Sequence, residues 1–314
     1  MNLGRADHLP TTGDQNSQLK QFFRASFSAW KEFYNRTDLY ARIYQERRAT
    51  AIAFIDELEL PQGSLALDVG CGPGLTTVAL ARKGYRVHAI DFLPEMASAT
   101  RSLSLETGVQ ERVGTSVGNA CCLPFGNNVF DLLVVVGVTE WMPSLADLLS
   151  ELARVLKPGG HIVIASDNRW GLHLVIDPLA NPLLAPFRRL LRAALGQFGH
   201  RRPTPPTYAY STKTFDDHLL NRQLLKLRAR MVGFGPFSLL RMKILPDSVG
   251  RKLNSALQNL ADKHTSVFGS IGHVYVVLAN KIVVLWVVLS VNLVDDQALA
   301  LDPCSLALLA SELL

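Results

Sequence analysis

The sequence predicts an α/β protein built on a parallel, doubly wound sheet. Three observations carry that expectation. Short apolar runs alternate with helix-period segments between residues 65 and 165, and one run, 129–136, is almost unbroken in the way of a strand covered on both faces. The first run then ends in a glycine-rich turn, Asp68-Val69-Gly70-Cys71-Gly72-Pro73-Gly74. Apolar residues make up 48% of the 314 positions and charged residues 19%, enough for a sizeable core and too little charge for wholesale disorder. The formal net charge of +5 is mild and does not single out nucleic acid.

Residues 1–18 are polar, rich in turn formers and free of any apolar run, which predicts a flexible leader rather than a secretory signal. From residue 19 to 58 the period is helical, with Phe22, Phe23, Phe27, Trp30, Phe33 and Tyr34 followed by Ile43, Tyr44, Ala51, Phe54, Ile55 and Leu58. The period then changes. Strands are predicted at 65–69, 86–91, 113–117, 129–136 and 161–165, with helices at 75–83, 94–106 and 145–156; Lys157-Pro158-Gly159-Gly160 reads as a strong breaker. Residues 168–213, with six prolines between Pro178 and Pro206, interrupt the rhythm as an insertion. Beyond it the pattern predicts a helix over 214–230, strands over 235–245 and 272–280 that close one sheet edge as a hairpin, and a helix over 246–261. The expected fold is therefore a Rossmann-like seven-stranded sheet with N-terminal helices and a helical lid inserted after strand five. One domain covers 19–281, and an apolar tail, 282–314, fits none of its units. The longest apolar run in that tail is broken by Ser290 and Asn292 and falls short of the roughly 20 residues of a membrane span. Cys71, Cys121, Cys122 and Cys304 form no CxxC pair, so free thiols and a cytoplasmic, reducing setting are expected.

The chemistry starts at the glycine turn. Glycines at 70, 72 and 74 let the backbone turn tightly and approach a ligand, while the next helix points its first amides at the site. A nicotinamide site would read G-x-G-x-x-G to seat a pyrophosphate; here the run is G-x-G-x-G, with Leu75 in the place of the last glycine. Asp68 puts a carboxylate beside the turn, which repels a pyrophosphate and suits an ammonium group. The pattern favours S-adenosylmethionine over NAD. Asp91 ends the second strand, where an acid can accept both ribose hydroxyls, a role shared by both cofactor classes. After the third strand, Asn119 can accept from an adenine amino group while a neighbouring backbone N–H meets the ring.

Taken in order, Asp68 to Gly74, Asp91, Asn119-Ala120, Leu123-Pro124-Phe125, Phe130-Asp131 and Leu156-Lys157-Pro158-Gly159-Gly160 resemble the successive motifs of the class I S-adenosylmethionine-dependent methyltransferases. More narrowly they resemble the small-molecule, type 11 branch that includes the ubiquinone and menaquinone methyltransferases. The resemblance implies that Asp68, Gly70 and Gly72 face the methionine end of the site, with Cys71 and Gly74 in the same cofactor-binding turn, that Asp91 takes the ribose, and that Asn119-Ala120 holds the adenine, with Phe92 packed on its ring. Two positions depart from the family, which usually has Asp at position 119 and a polar or acidic pair in place of Cys121-Cys122. Without a well-placed third cysteine, that pair does not make a thiol site for a metalloid substrate.

Open α/β sheets bind ligands at the carboxyl ends of their strands. That places Thr139, Glu140 and Trp141 after strand four, and Asp167, Asn168, Arg169 and His173 after strand five, at the acceptor end. Glu140 and His173 are the candidate catalytic residues, a general base being optional when the methyl donor is already activated. The competing readings are a cofactor-orienting role for Glu140 and a packing role for His173. The eight histidines show no HxxxH or HxH spacing, so no metal is expected. Residues 183–202 carry an apolar stripe flanked by Arg188, Arg189 and Arg192; such a helix rests on an anionic membrane, caps a lipophilic substrate, or packs on its own sheet. Residues 137–141, Gly-Val-Thr-Glu-Trp, lack the Asn/Asp-Pro-Pro-Tyr motif of amino-directed nucleic-acid methylation, and no nucleic-acid partner is expected. The expected function is methyl transfer to a small, fairly apolar acceptor such as a quinone, polyketide, lipid or tetrapyrrole. The alternatives are a non-catalytic S-adenosylmethionine-binding module and a nicotinamide-dependent oxidoreductase.

Overall fold

The computed structural model describes residues 12–187, 205–240, 242–263 and 268–282. Helix α1 (Thr12–Ala25) is followed by α2 (Phe27–Phe33) and α3 (Leu39–Asp56), the last capped by Asp38, whose carboxylate accepts the N–H groups of Tyr40 and Ala41. Helix α1 starts at Thr12, so it takes in the end of the stretch assigned above to a leader; residues 1–11 lie outside the described ones.

Seven strands form one sheet: β1 (Leu65–Val69), β2 (Arg86–Asp91), β3 (Val113–Val117), β4 (Phe130–Val135), β5 (Leu156–Asp167), β6 (Leu224–Val232) and β7 (Val274–Lys281). Their order is β3-β2-β1-β4-β5-β7-β6, with β7 antiparallel to both neighbours and the other adjacent pairs parallel. Helices α4 (Leu75–Arg82), α5 (Pro94–Glu106) and α6 (Leu145–Val155) make the crossovers. Alternate residues of β4 feed the two core layers. Leu132 and Val134 pack with Ile43, Ala51 and Phe54 of α3, while Leu133 and Val135 pack with Leu148, Leu149 and Leu152 of α6. The order reverses between β1 and β4, which opens a crevice at their carboxyl ends.

Three expectations need correction. Lys157-Pro158-Gly159-Gly160 does not separate α6 from a later strand: β5 begins at Leu156, and the four residues form an irregularity at which pairing with β4 passes from Leu156 to His161. The helix expected over 214–230 is a short helix, α8 (Thr212–Leu220), capped by Ser211, followed by β6; the label α7 is kept for the single turn Leu172–Val175. Gln223, at φ 61°, turns the chain between them. Strand β6 is an edge strand with a bulge between Lys226 and Arg228, buried at its ends and exposed in its middle, so its sequence shows no period of two. The strand expected over 235–245 is absent from the sheet. Phe234 and Phe237 instead bury themselves in the α3 core layer, and only a two-residue hairpin, Ser238–Leu239 with Met242–Lys243, follows before α9 (Asp247–Asp262). The antiparallel edge forms as expected, but from β6 and β7.

Of the insertion, the described part holds α7 and the turn Pro182–Leu184; the arginine-flanked stretch 188–202 and the tail from 283 lie outside the described residues. Among the described residues no helix is long and apolar enough to cross a membrane, and Cys71, Cys121 and Cys122 are free.

Candidate active site

Strand β1 is buried over its last four residues, and Asp68 sits among them. Its Oδ2 accepts the Thr77 hydroxyl at 2.6 Å from the first turn of α4. Burial pushes the carboxyl up to about 6, against the pull of that hydrogen bond. At the start of α4, Gly74 adopts φ 91°, and a Cβ there would lie 2.8 Å from the Thr100 Cα, a backbone atom that cannot swing aside. Gly72 faces open space. Its N–H donates to Asp91 Oδ2 at 3.0 Å while the Leu93 N–H donates to Oδ1 at 3.0 Å. These backbone donors, with the Phe92 N–H as a third, fix the plane of the Asp91 carboxylate. Burial raises the Asp91 pKa, and these backbone bonds oppose the rise.

These groups line a cavity of about 330 Å³ at the crevice between β1 and β4. Of the cofactor residues named from sequence, Asp68, Gly70, Cys71, Gly72, Asp91, Phe92, Asn119 and Ala120 are on its wall. Gly74 stands behind the wall, against Thr100. Asn119 is exposed and its side-chain oxygen accepts the Cys121 N–H at 3.0 Å, so it shapes its own loop as well as facing the cavity. The opposite side is closed by the N-terminal helices. Phe23 of α1 lies edge-on to Phe92 at 5.5 Å and to Trp141 at 5.0 Å, spanning the cavity mouth. No described residue of the insertion is on this wall.

Glu140 also lines the cavity, in the 3₁₀ turn Thr139–Trp141 after β4. Thr139 anchors the turn by donating to the Ala165 carbonyl at 2.7 Å. The Glu140 Oε1 accepts from Arg47 Nη1 of α3 at 3.0 Å, and both side chains are 4% exposed. Burial raises the Glu140 pKa and Arg47 counters it; burial also opposes the arginine's charge, but Glu140 and its neighbours outweigh that and hold it ionised. The guanidinium lies over the Tyr44 ring at 4.2 Å, and the Tyr44 hydroxyl meets that of Tyr40 at 2.8 Å. Arg47 escapes a reading of strand-end motifs because it comes from a helix. Its signal is an arginine in register with Ile43 and Ala51, at core positions of an amphipathic stripe.

His173 is not on the cavity wall. It stacks on His273 at 3.9 Å, with Nδ1 buried and unpartnered, and burial first, then His273, pushes its pKa down to about 2. A neutral imidazole in that position packs; it does not reach the cofactor cavity. Asn168 is spent on structure, donating to the Ser270 and Gly272 carbonyls at 2.8 and 2.9 Å. Asp167 has an unpartnered buried oxygen, and burial raises its carboxyl to about 6, with Arg47 pulling the other way.

Residues 67–164 match the family model described as a methyltransferase domain, a span that runs from β1 through the cofactor wall into β5. Over that span the chain is similar to a methyltransferase domain. A ubiquinone biosynthesis O-methyltransferase from Xanthomonas axonopodis pv. citri is 37% identical over 110 residues, 35% of this chain and 45% of the relative. The norajmaline N-methyltransferase of Rauvolfia serpentina is 29% identical over 153 residues, 48% of this chain and 50% of that one. The chain thus spans half or less of the length of these curated relatives. Among solved structures, magnesium protoporphyrin IX methyltransferase from Synechocystis PCC 6803, with bound S-adenosylhomocysteine, superposes with a TM-score of 0.57 at 15% identity. That match covers 85% of this chain and all (100%) of the other, and shows the fold of the methyltransferase domain.

Proposed function

We propose that this protein transfers a methyl group from S-adenosylmethionine to a small, fairly apolar organic acceptor. The observation that carries the proposal is the pair of buried carboxylates on one cavity wall, Asp68 and Asp91, set on either side of the glycine turn. The pair fits this cofactor. Asp91, oriented by backbone donors, keeps acceptor capacity for the ribose, Asp68 offers negative charge to an ammonium group, and the open face of Gly72 admits the ligand between them. Phe92 and Asn119-Ala120 wall the adenine end. When bound, S-adenosylmethionine supplies a methyl group already activated on a sulfonium. The chain's own work is to align it and exclude water: Arg47 fixes the Glu140 carboxylate on the cavity wall, and Phe23, Trp30 and Trp141 cover the mouth with aromatic surface. Relatives that methylate oxygen and nitrogen on small molecules support this acceptor class. We place the protein in the cytoplasm, with residues 183–202 in peripheral contact with an anionic membrane, a reading that the apolar and basic stripe supports.

The test is calorimetry with S-adenosylhomocysteine. Asp68→Ala and Asp91→Ala are each expected to weaken binding about 10- to 100-fold, the worth of a charge-assisted hydrogen bond, with thermal melting little changed. Wild-type affinity in both variants, or tighter binding of NAD than of S-adenosylhomocysteine, overturns the assignment.

A further inference from the structure

Exposed apolar side chains are gathered at one end of the molecule. Among the described residues, the large ones outside residues 170–187 and 239–260 are Tyr40, Leu105, Val117 and Leu227, scattered over α3, α5, β3 and β6. The rest fall in those two stretches, neither of which is on the wall of the cofactor cavity. One is the described part of the insertion, with Leu179, Leu183, Leu184 and Phe187 exposed. The other is the hairpin Ser238–Leu239 with Met242–Lys243, where Leu239, Leu240, Met242 and the following Ile244 are exposed. The stretches follow β5 and β6, which run in the same direction, both antiparallel to β7. The Ser238 hydroxyl donates to Asp177 Oδ2 at 3.3 Å, so they stand side by side at the carboxyl end of the sheet, the end at which the crevice between β1 and β4 opens.

The hairpin tip is built against local preference. Leu239 pairs with Met242, and Leu240, which starts the connection, holds φ at 50°. That left-handed region suits Gly, Asn or Asp, the residues on which tight hairpin turns draw. Leucine there is strained and recovers little inside the chain, since Leu240 is 50% exposed and Met242 66%. Apolar side chains held on a strained, protruding turn find their burial outside the fold. Charge identifies the partner. From Pro178 to Phe215 the sequence has Arg188, Arg189, Arg192, Arg201, Arg202 and Lys213 and no Asp or Glu. Residues 236–261 have Arg241, Lys243, Arg251 and Lys252 against one acid, Asp247, which pairs with Lys243 at 2.6 Å. Without these two spans the chain's net charge is negative instead of +5, so its positive charge is concentrated in the same parts of the sequence as its exposed apolar side chains.

We propose that the hairpin Ser238–Lys243 inserts its tip, Leu239, Leu240 and Met242, into the surface of an anionic lipid bilayer, with Lys243, Arg251 and Lys252 at the headgroups. This goes beyond the contact assigned above to residues 183–202, because it names a separate element, and it depends on no step of methyl transfer. Lys243, Arg251 and Lys252 are exposed, and Val249 and Leu253, four residues apart on α9, extend the apolar surface behind the tip. A bilayer fits this arrangement better than a protein partner does. A hairpin with two residues in each strand offers no groove to hold a peptide or a helix, whereas interfacial binding needs only protruding apolar atoms with cations at headgroup level. Docked in this way, the protein turns the crevice end of its sheet towards the lipid, the side from which an apolar acceptor arrives.

The experiment is co-sedimentation of the full chain with phosphatidylcholine vesicles, with and without about 30 mol% phosphatidylglycerol. Wild type is expected to bind the anionic vesicles at least about tenfold more tightly than the neutral ones, and added salt should weaken the binding. Leu240→Asn combined with Met242→Ser puts turn chemistry at the strained position, so thermal melting should hold or rise. Its vesicle affinity should nevertheless fall at least about tenfold, with S-adenosylhomocysteine affinity within about twofold of wild type. Leu240→Trp is read separately: vesicles containing brominated phosphatidylcholine should quench its emission well beyond that of wild type. Equal binding to neutral vesicles, wild-type vesicle affinity in the double variant, or no added quenching in Leu240→Trp each overturn the proposal. So does a wild-type dimer that the double variant converts to a monomer, which would make this face a contact between copies. Vesicle binding kept by a protein that fails to bind S-adenosylhomocysteine removes the methyltransferase reading and leaves this one standing.

Discussion

Asp68 and Asp91 are both acids at the ends of neighbouring strands, but their surroundings give them different duties. Asp91 has both oxygens fixed by backbone N–H groups, whereas Asp68 has one hydroxyl partner and a pKa raised to about 6. Below that pH the free protein carries Asp68 increasingly as the neutral acid, which gives an ammonium group nothing to pair with. Affinity for S-adenosylhomocysteine is therefore expected to fall as pH drops through 6, by up to about tenfold per unit, and to level off above it; Asp68→Asn should flatten the curve. The same shift has a sign for stability. The folded state holds a proton on Asp68 between its ordinary 3.8 and about 6, so this group favours the fold in acid and costs stability as pH rises through that window. Gly74→Ala is expected to destabilise by about 1–3 kcal/mol in a denaturant titration, because it combines a left-handed φ with a backbone contact at 2.8 Å. At this scale the sequence was most legible. The glycine turn, Asp91 and Phe92 are adjacent to strand ends that alternate cleanly, and local spacing fixes their place. Arg47 and Asp167 depend on which helix and which strand come together, and His173, equally well placed along the chain, is turned onto His273 instead.

Among the elements, α3 is the one that ties the sheet to the site. One face supplies Ile43, Ala51 and Phe54 to the core, and Arg47, in the same register, reaches the turn after β4. Arg47→Met should destabilise by about 3–5 kcal/mol, because it leaves Glu140 buried and uncompensated, whereas Arg47→Met with Glu140→Gln should cost less than Arg47→Met alone. A double-variant loss equal to the sum of the Arg47→Met and Glu140→Gln losses, in thermal or denaturant unfolding, would mean that the pair contributes no coupling. The elements misread from sequence have a shared cause. Strand β6 lies at an edge, carries a bulge and exposes its middle, so neither face is defined by burial; Phe234 and Phe237 are apolar because they underlie α3, not because they enter the sheet. Period reports burial, and burial at the sheet's far edge is decided by what packs across it. The inner strands β1 and β2 show no such ambiguity: both begin and end where their apolar runs do.

For the molecule as a whole, the question is how a site at the open end of a sheet is kept dry. The crevice between β1 and β4 is a product of strand order alone, and it faces solvent until something covers it. Helix α1 provides that cover with few attachments. Its described ring contacts run to Phe92 and Trp141 on opposite lips of the cavity and to Trp30 of α2, with one exposed ion pair from Arg24 to Glu95. Of α1, Leu19 is buried, but the packed α3 core layer starts only after it, at Phe33. An element that lies on a site and contributes little to the core can open without unfolding the sheet. Removal of residues 1–26 is therefore expected to leave circular dichroism in the strand region and the unfolding transition nearly intact. S-adenosylhomocysteine should bind about tenfold more weakly, most of the loss appearing as faster release in stopped-flow displacement, because rings that span the mouth obstruct exit of a bound ligand more than its first encounter. A truncated protein that keeps wild-type release would assign the barrier to Phe92 and Trp141 themselves, and a double Phe92→Ala, Trp141→Ala variant in the full chain would then have to reproduce it. Entry and retention would in that case be properties of the sheet's own loops, and the N-terminal helix would serve the acceptor side.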